Sequence, residues 1–243
     1  MANPTAAMLV IGDEILSGRT RDSNMHHLAG KLTEAGINLA EVRMVADDRT
    51  AIVEGVRALA RTHDHLFTSG GIGPTHDDIT ADCVAEAMNA SIDVRPDARA
   101  ILQAHYDRQD IEMNEARLRM ARIPEGATLI TNPISAAPGF TIGNVHVLAG
   151  IPAIFEAMVA SILPMISGGD PVLSESVRID RAEGDIAARL NEIAEEFAHL
   201  SLGSYPFRQN GRYGANVVIR GTDRRQIGHA AAQLRAAFGD DAS

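Results

Sequence analysis

The stretch Thr68-Ser69-Gly70-Gly71-Ile72-Gly73-Pro74-Thr75-His76-Asp77-Asp78-Ile79-Thr80 brings together residue types that handle phosphate and residue types that hold cations. Gly70, Gly71 and Gly73 let the backbone approach a ligand closely and take positive φ, and the free amides at the start of the helix expected after Thr80 attract an anion. Asp77 and Asp78 would repel that anion unless a divalent cation sat between them. The stretch therefore predicts a phosphate and a metal held together. His76 reads either as a proton carrier or as a solvated loop histidine.

Such a loop needs rigid elements on both sides. The apolar run His65-Leu66-Phe67 leads into it as a strand, and Ala81 to Met88 follows as a helix. Upstream, Ala6 to Ile11 reads as a strand ending in Gly12-Asp13-Glu14, and Asp22-Ser23 caps a helix in which Met25, Leu28, Ala29 and Leu32 keep helical spacing up to Gly36. Ile37 to Val45 is the next strand, Asp47-Asp48 follows it, and Ile52, Val56, Leu59 and Ala60 form the buried stripe of a second helix. This alternation predicts an α/β fold, a three-layer αβα domain whose sheet is mostly parallel. Ligands in such sheets collect at the carboxyl ends of the strands. Asp13-Glu14, Asp47-Asp48 and Asp77-Asp78 are thereby expected on one rim, although Asp22, Asp48 and Asp78 could each simply cap a helix.

Downstream, Asp97 to Gln109 and Asn114 to Arg122 read as helices, with Arg117, Arg119 and Arg122 spaced so that one could turn toward the ligand rim. Ala127 to Thr131 and Phe140 to Leu148 read as strands, the second turning at Gly143-Asn144, and Ala153 to Leu163 as a helix. Ser167-Gly168-Gly169-Asp170-Pro171 is the expected linker between a domain at 5–168 and a small α+β domain at 171–243. The latter reads as βαββα: Val172 to Ile179, Glu183 to Leu200, Leu202 to Tyr205, Ala215 to Arg220 and Asp223 to Phe238, with a hairpin turn at Asn210-Gly211-Arg212. Its arginines lack the aromatic platform expected of a single-strand binder.

Composition narrows the function classes. With 22 basic and 32 acidic residues the formal charge is −10, which disfavours nucleic acid or an anionic membrane as the main partner. The single cysteine, Cys83, cannot form an intramolecular disulfide and reads as a small buried residue. Met1 to Thr5 has no basic region ahead of an apolar core, and no segment is apolar for long enough to span a bilayer, so a cytoplasmic location is expected. Lys31 is the only lysine, so any cationic help must come from arginine or metal.

Several spaced motifs, in order, resemble the molybdopterin-binding domain shared by molybdenum-cofactor biosynthesis proteins, the competence/damage-inducible protein A family and eukaryotic FAD synthase. The most specific is Gly70 to Thr80, supported by Gly12 to Gly18, Asp22-Ser23-Asn24, Asp47-Asp48 and Ala137-Pro138-Gly139-Phe140. Gly150-Ile151-Pro152 and Leu202 to Pro206 look most like the competence-protein and FAD-synthase branches. The resemblance implies a small-molecule nucleotide or pterin ligand, a homo-oligomer, and either handling of molybdopterin or metal-dependent hydrolysis of a nucleotide pyrophosphate. It points to Asp47 and Asp78 as functional carboxylates. It carries over neither the deamidation performed by a separate C-terminal domain of the competence proteins nor the catalytic partner domain of FAD synthase. Ser135-Ala136 stands where the family pattern has glycine and threonine.

The combined reading is a divalent-metal-dependent pyrophosphohydrolase acting on an ADP-ribose- or FAD-like substrate. Asp78, Asp47 and Asp77 are the expected catalytic carboxylates, and Asp13, Asp77 and Asp78 the expected ligands of magnesium or cobalt. The expected phosphate and ligand contacts are Gly70, Gly71, Gly73, Pro74, Thr75, Thr80, Gly12, Asn24, Pro138 and Gly139. The alternative is a protein that holds molybdopterin or a nucleotide without cutting it. An oligomeric scaffold fits poorly with three carboxylate pairs on one rim.

Overall fold

A computed structural model describes residues 3–209 and 211–242. Met1, Ala2, Asn210 and Ser243 lie outside it, so the start of the segment read for a leader and the tip of the expected hairpin at Asn210 are outside the described residues. The chain divides into two compact units, Met1–Gly169 and Asp170–Ser243.

In the first unit β1 (Thr5–Ile11) is followed by the short helix α1 (Asp13–Leu16), α2 (Asn24–Glu34), β2 (Asn38–Val45), α3 (Arg49–Thr62), β3 (His65–Ser69) and α4 (Thr80–Ala87). Then come β4 (Ile92–Val94), α5 (Pro96–Asp107), α6 (Glu115–Leu118), β5 (Arg122–Pro124), β6 (Thr128–Ile130), β7 (Gly139–Ile142), β8 (Val145–Leu148) and α7 (Pro152–Ile162). The main sheet has the order β2-β1-β3-β8-β7-β6. Its first four strands are parallel and only β7 runs against the others, antiparallel to both β8 and β6, so it is mostly parallel, as the alternating pattern predicts.

Strand β1 lies between two neighbours, and its continuous apolar run is buried on both faces. Successive side chains point to opposite faces. Ala7, Leu9 and Ile11 join Ile52, Val56 and Leu59 of α3 and Cys83 and Val84 of α4 in one core layer. Ala6, Met8 and Val10 join Leu28 and Leu32 of α2 and Phe155, Met158 and Val159 of α7 in the other.

Two local expectations are revised and a third is met. Asp13 to Leu16 forms a helical turn where a loop is expected. Asn114 to Arg122 does not run as one helix: it passes through a 3-10 turn at Arg119–Ala121 into β5, which pairs with β4. Pro124 holds Ile123 extended, and that pairing outweighs the helical propensity of the preceding residues. The hairpin β7–β8 turns at Gly143, whose φ is 57°.

The second unit contains β9 (Leu173–Ile179), α8 (Glu183–Glu196), β10 (Ser201–Gln209), β11 (Arg212–Gly221) and α9 (Arg224–Phe238). Its sheet, β10-β11-β9, is antiparallel, with Gln209 opposite Arg212. Val177, Ile179, Val217 and Ile219 pack against Ile186, Ile193, Ala230 and Leu234 of the two helices. On the opposite face of β10, Tyr205 and Phe207 stand beside Arg220 and Arg178: Arg220 donates to the Tyr205 hydroxyl at 3.4 Å, and the Arg178 guanidinium lies 4.3 Å from the Phe207 ring centre. Both aromatic side chains on this face thus already have an arginine partner. No helix among the described residues is long and apolar enough to cross a membrane.

Candidate functional site

A cavity of about 500 Å³ opens at the carboxyl ends of β1, β3 and β8. Gly12 follows β1, Asp47 follows β2, Gly70 to Asp78 follow β3, and Ala149 to Pro152 follow β8. All four segments contribute to its lining, where open α/β sheets hold their ligands.

Steric constraints from the sheet fix the glycine loop. Gly70 has φ 107° and a side chain there would place Cβ 2.2 Å from the Ile11 carbonyl oxygen, while Gly71 has φ 68° and its Cβ would meet the Thr80 hydroxyl at 2.1 Å. Thr80 is fully buried. Its hydroxyl donates to the Gly70 carbonyl at 2.9 Å and its amide to the Gly71 carbonyl at 2.9 Å. Thr80 therefore pins the loop from behind rather than facing a ligand. The Gly70 amide is already bonded to the Leu148 carbonyl, at 3.2 Å, which removes it from the expected anion-binding set. No bond among the described residues occupies the amides of Gly71 and Gly73.

The carboxylates are held in different ways. Asp78 accepts from both the amide and the hydroxyl of Thr75, at 2.8 and 2.6 Å, closing the loop on itself; a Cβ on Gly73 would sit 2.6 Å from the same oxygen. Thr75 thus serves Asp78 and does not line the cavity. Asp47 accepts from the Asp13 amide at 2.9 Å. Burial raises its carboxyl above the ordinary range, the Asp13 amide partly offsets this, and the nearby charges of Asp13, Glu14 and Asp77 push it further up. Both residues of the first acidic pair and one of the third therefore act electrostatically on Asp47, a member of the second.

The three aspartates that could cap a helix differ. Asp48 caps α3, accepting from the Ala51 amide at 2.9 Å, and Asp22 accepts from the Met25 amide at 2.9 Å. Asp78 caps no helix, since α4 begins after Ile79.

Of the expected site residues, Gly12, Asp47, Gly70, Gly71, Gly73, Pro74, Asp77 and Asp78 line the cavity. Asp13, Asn24, Thr75, Thr80, Pro138 and Gly139 do not. Asn24 is buried behind it and clamps two strand ends, donating to the Ser69 hydroxyl at 2.9 Å and the Gly150 carbonyl at 2.8 Å. Gly139 lies against the neighbouring strand, where a Cβ would meet the Val147 carbonyl oxygen at 2.3 Å. Pro138 lines a smaller recess beside Asp78 and Arg119. Among the three arginines, Arg119 turns toward the loop and donates to the Asp78 carbonyl at 3.3 Å. Arg117 lies over the Tyr106 ring, and Arg122 pairs with Asp82. The His76 side chain is 99% exposed, which favours the solvated reading.

Several lining residues are absent from the sequence-based set, among them Glu14, Thr20, Met120, Asn132 and Ser135. Asn132 could have been found: an asparagine ahead of a proline turn commonly bonds nearby backbone. Here its Oδ1 accepts from Ile134 and Ser135 at 3.0 and 3.1 Å and its Nδ2 donates to the Ala137 carbonyl at 2.9 Å. Ala136 consequently adopts φ 62°.

Among the described residues, no three carboxylate, imidazole or thiolate side chains converge to hold a metal by themselves. Magnesium commonly takes only one or two protein carboxylates and fills its remaining positions with substrate phosphate and water. Asp47, crowded by three other acids on a partly buried rim, has the charge to accept such a cation, with Asp77 as its neighbour.

The chain matches the model of a probable molybdopterin binding domain over residues 7–168, and that of the FAD synthase middle domain over residues 171–243. A protein of Archaeoglobus fulgidus is 30% identical over 235 residues, 96% of this chain and 97% of its own length. A probable FAD synthase of Caenorhabditis elegans is 31% identical over 240 residues, covering 88% of this chain and 46% of that relative. The crystal structure of the protein CinA from Thermoplasma acidophilum is 31% identical, with a TM-score of 0.62, and covers 67% of this chain and 99% of that one.

Proposed function

We propose, on the premise that this chain belongs to the probable molybdopterin binding domain family, that it hydrolyses the pyrophosphate of an ADP-ribose- or FAD-like nucleotide with the help of a divalent cation. The observation that carries the proposal is the convergence of Asp47, Asp77 and Asp78 with the unoccupied amides of Gly71 and Gly73 around one cavity. The similarity to a probable FAD synthase supports a nucleotide-related ligand.

Each residue then has a task. The Gly71 and Gly73 amides bind a phosphate oxygen without adding charge. Asp47 and Asp77 hold the cation, and Asp78, with its orientation set by Thr75, positions the attacking water. The cation, when bound, neutralises charge on the pyrophosphate and lowers the pKa of a coordinated water. The apolar lining from Ile72, Met120 and Ile151 covers a ring of the ligand and keeps bulk water from the anhydride. Self-association belongs to the same proposal, and analytical ultracentrifugation reads it directly.

A second reading, binding of molybdopterin or a nucleotide without cleavage, uses the same cavity. Calorimetry separates the two. Dinucleotide binding strengthened by magnesium or cobalt supports hydrolysis, whereas metal-independent binding of molybdopterin that leaves the ligand intact supports the second reading.

A further inference from the structure

At the amino-terminal end of β3, away from the glycine loop, two imidazoles meet. His65 opens β3 and His146 lies on β8, and both line a second cavity of about 450 Å³ near the end of α7. His65 Nδ1 and His146 Nε2 are 3.3 Å apart. Each ring has a partner on its far nitrogen: His65 Nε2 lies 3.3 Å from the Ser167 carbonyl oxygen, and His146 Nδ1 lies 3.0 Å from the Thr141 hydroxyl.

Hydrogen-bond accounting fixes the tautomers. The Ser167 carbonyl only accepts, so His65 carries its proton on Nε2 and turns the Nδ1 lone pair toward His146. Without metal, His146 donates from Nε2 to that lone pair and accepts from Thr141 at Nδ1. The Thr141 hydroxyl can donate or accept. If His146 moves its proton to Nδ1 and donates to Thr141, Nε2 becomes free and no proton leaves the protein. Both near nitrogens then present lone pairs, and both far nitrogens keep their hydrogen bonds. That is the outer-partner arrangement that orients metal-binding histidines.

The spacing agrees. Two imidazole nitrogens at the zinc–nitrogen distance, about 2.0–2.1 Å, subtend a tetrahedral angle when they are roughly 3.3–3.4 Å apart. We propose that His65 Nδ1 and His146 Nε2 form a two-histidine site for a borderline divalent cation of the zinc class. Burial holds His146 neutral, which suits a ligand, with its imidazolium pKa lowered to about 3. Asp64 lines the same cavity but is committed to Thr5, whose amide and hydroxyl both donate to its Oδ2, at 2.8 and 2.9 Å. No third side chain completes the set among the described residues. Further ligands, water or a small anion, would have to come from the cavity that both histidines line. Imidazole ligands favour zinc, copper or nickel, in contrast to the hard-oxygen rim at the other end of the strand.

The test is a titration of the full chain with zinc and, separately, with magnesium, in wild type, Asp47→Asn/Asp78→Asn and His65→Ala. Tetrahedral visible bands of substituted cobalt give the geometry, and imidazole NMR signals give the ligands. The expected result is zinc binding that survives in the double aspartate variant and is at least about tenfold weaker in His65→Ala, with zinc shifting His65 and His146 and moving the His146 proton to Nδ1. Thr141→Val, which keeps both rings, should weaken binding as well. The NMR readout in wild type decides the matter even where a variant fails to fold. Zinc binding that leaves both imidazole signals unmoved, binding lost with the aspartates, or no zinc binding to the folded protein would overturn the site.

Discussion

The backbone amide of Asp13 donates to Asp47 Oδ2 over 2.9 Å, tying the turn after the first strand to the end of the second. The bond positions the most crowded carboxylate of the rim, whose proton affinity is raised in the folded chain. The raised value means that the folded state binds the proton more tightly than the unfolded state, so stability is lost as pH rises from 3.8 through the native pKa and stays lost above it. Asp47→Asn keeps the shape and an acceptor for the Asp13 amide. Its melting temperature at neutral pH should equal or exceed that of wild type, while metal-dependent turnover falls by about a hundredfold or more. A clearly lower melting temperature would show that the Asp47 charge stabilises the fold.

Gly71→Ala should fail for a steric reason. The new Cβ would lie 2.1 Å from the Thr80 hydroxyl at a φ of 68°. A loss of about 2–4 kcal/mol is expected in guanidinium unfolding, together with loss of ligand binding. Gly18→Ala is the useful contrast: its φ is 73° but nothing lies within 4 Å of the added Cβ, so only the conformational cost, about 1 kcal/mol, remains.

The buried His146 makes the fold acid-sensitive. Its pKa falls from 6.5 to about 3, chiefly through burial, so the unfolded chain takes up a proton that the folded chain refuses. Stability should therefore be fully retained above pH 6.5 and decline as pH falls from 6.5 toward 3. Denaturant midpoints measured across that range should flatten in His146→Gln relative to wild type. An unchanged slope would assign the acid sensitivity to other groups.

Cys83 is fully buried against α3, and burial raises its thiol to about 11. A disulfide reagent at mildly alkaline pH should leave it unmodified in the native chain and label it fully in denaturant. Rapid native labelling would show that α4 opens readily.

Most of the fold was legible because the strands and helices of the first unit carry clean periodicity, and β1 is apolar on both faces for the reason central parallel strands are. The site was legible where chemistry follows the chain. Gly70 to Asp78 and Asp47 stand next to predicted strand ends, so the fold rule alone places them together. The residues that brace the rim from behind were harder to read. Thr80, Thr75 and Asn24 look like ligand contacts in sequence, yet each spends its hydrogen bonds on the loop or on neighbouring strands. Those partners, Gly70, Asp78, Ser69 and Gly150, are fixed by three-dimensional packing. Met120 enters the lining only because β5 pairs with β4 and ends the preceding helix early. The His65–His146 pair joins residues 81 positions apart and leaves no local trace.

The most direct measurement of the central claim is phosphorus NMR of ADP-ribose and FAD incubated with the folded protein, with and without magnesium or cobalt, alongside Asp78→Ala. Metal-dependent appearance of the two monophosphate products in wild type, and its loss in the variant, is the expected result. Intact pyrophosphate under every condition, or turnover unchanged by Asp78→Ala in a folded protein, would contradict it.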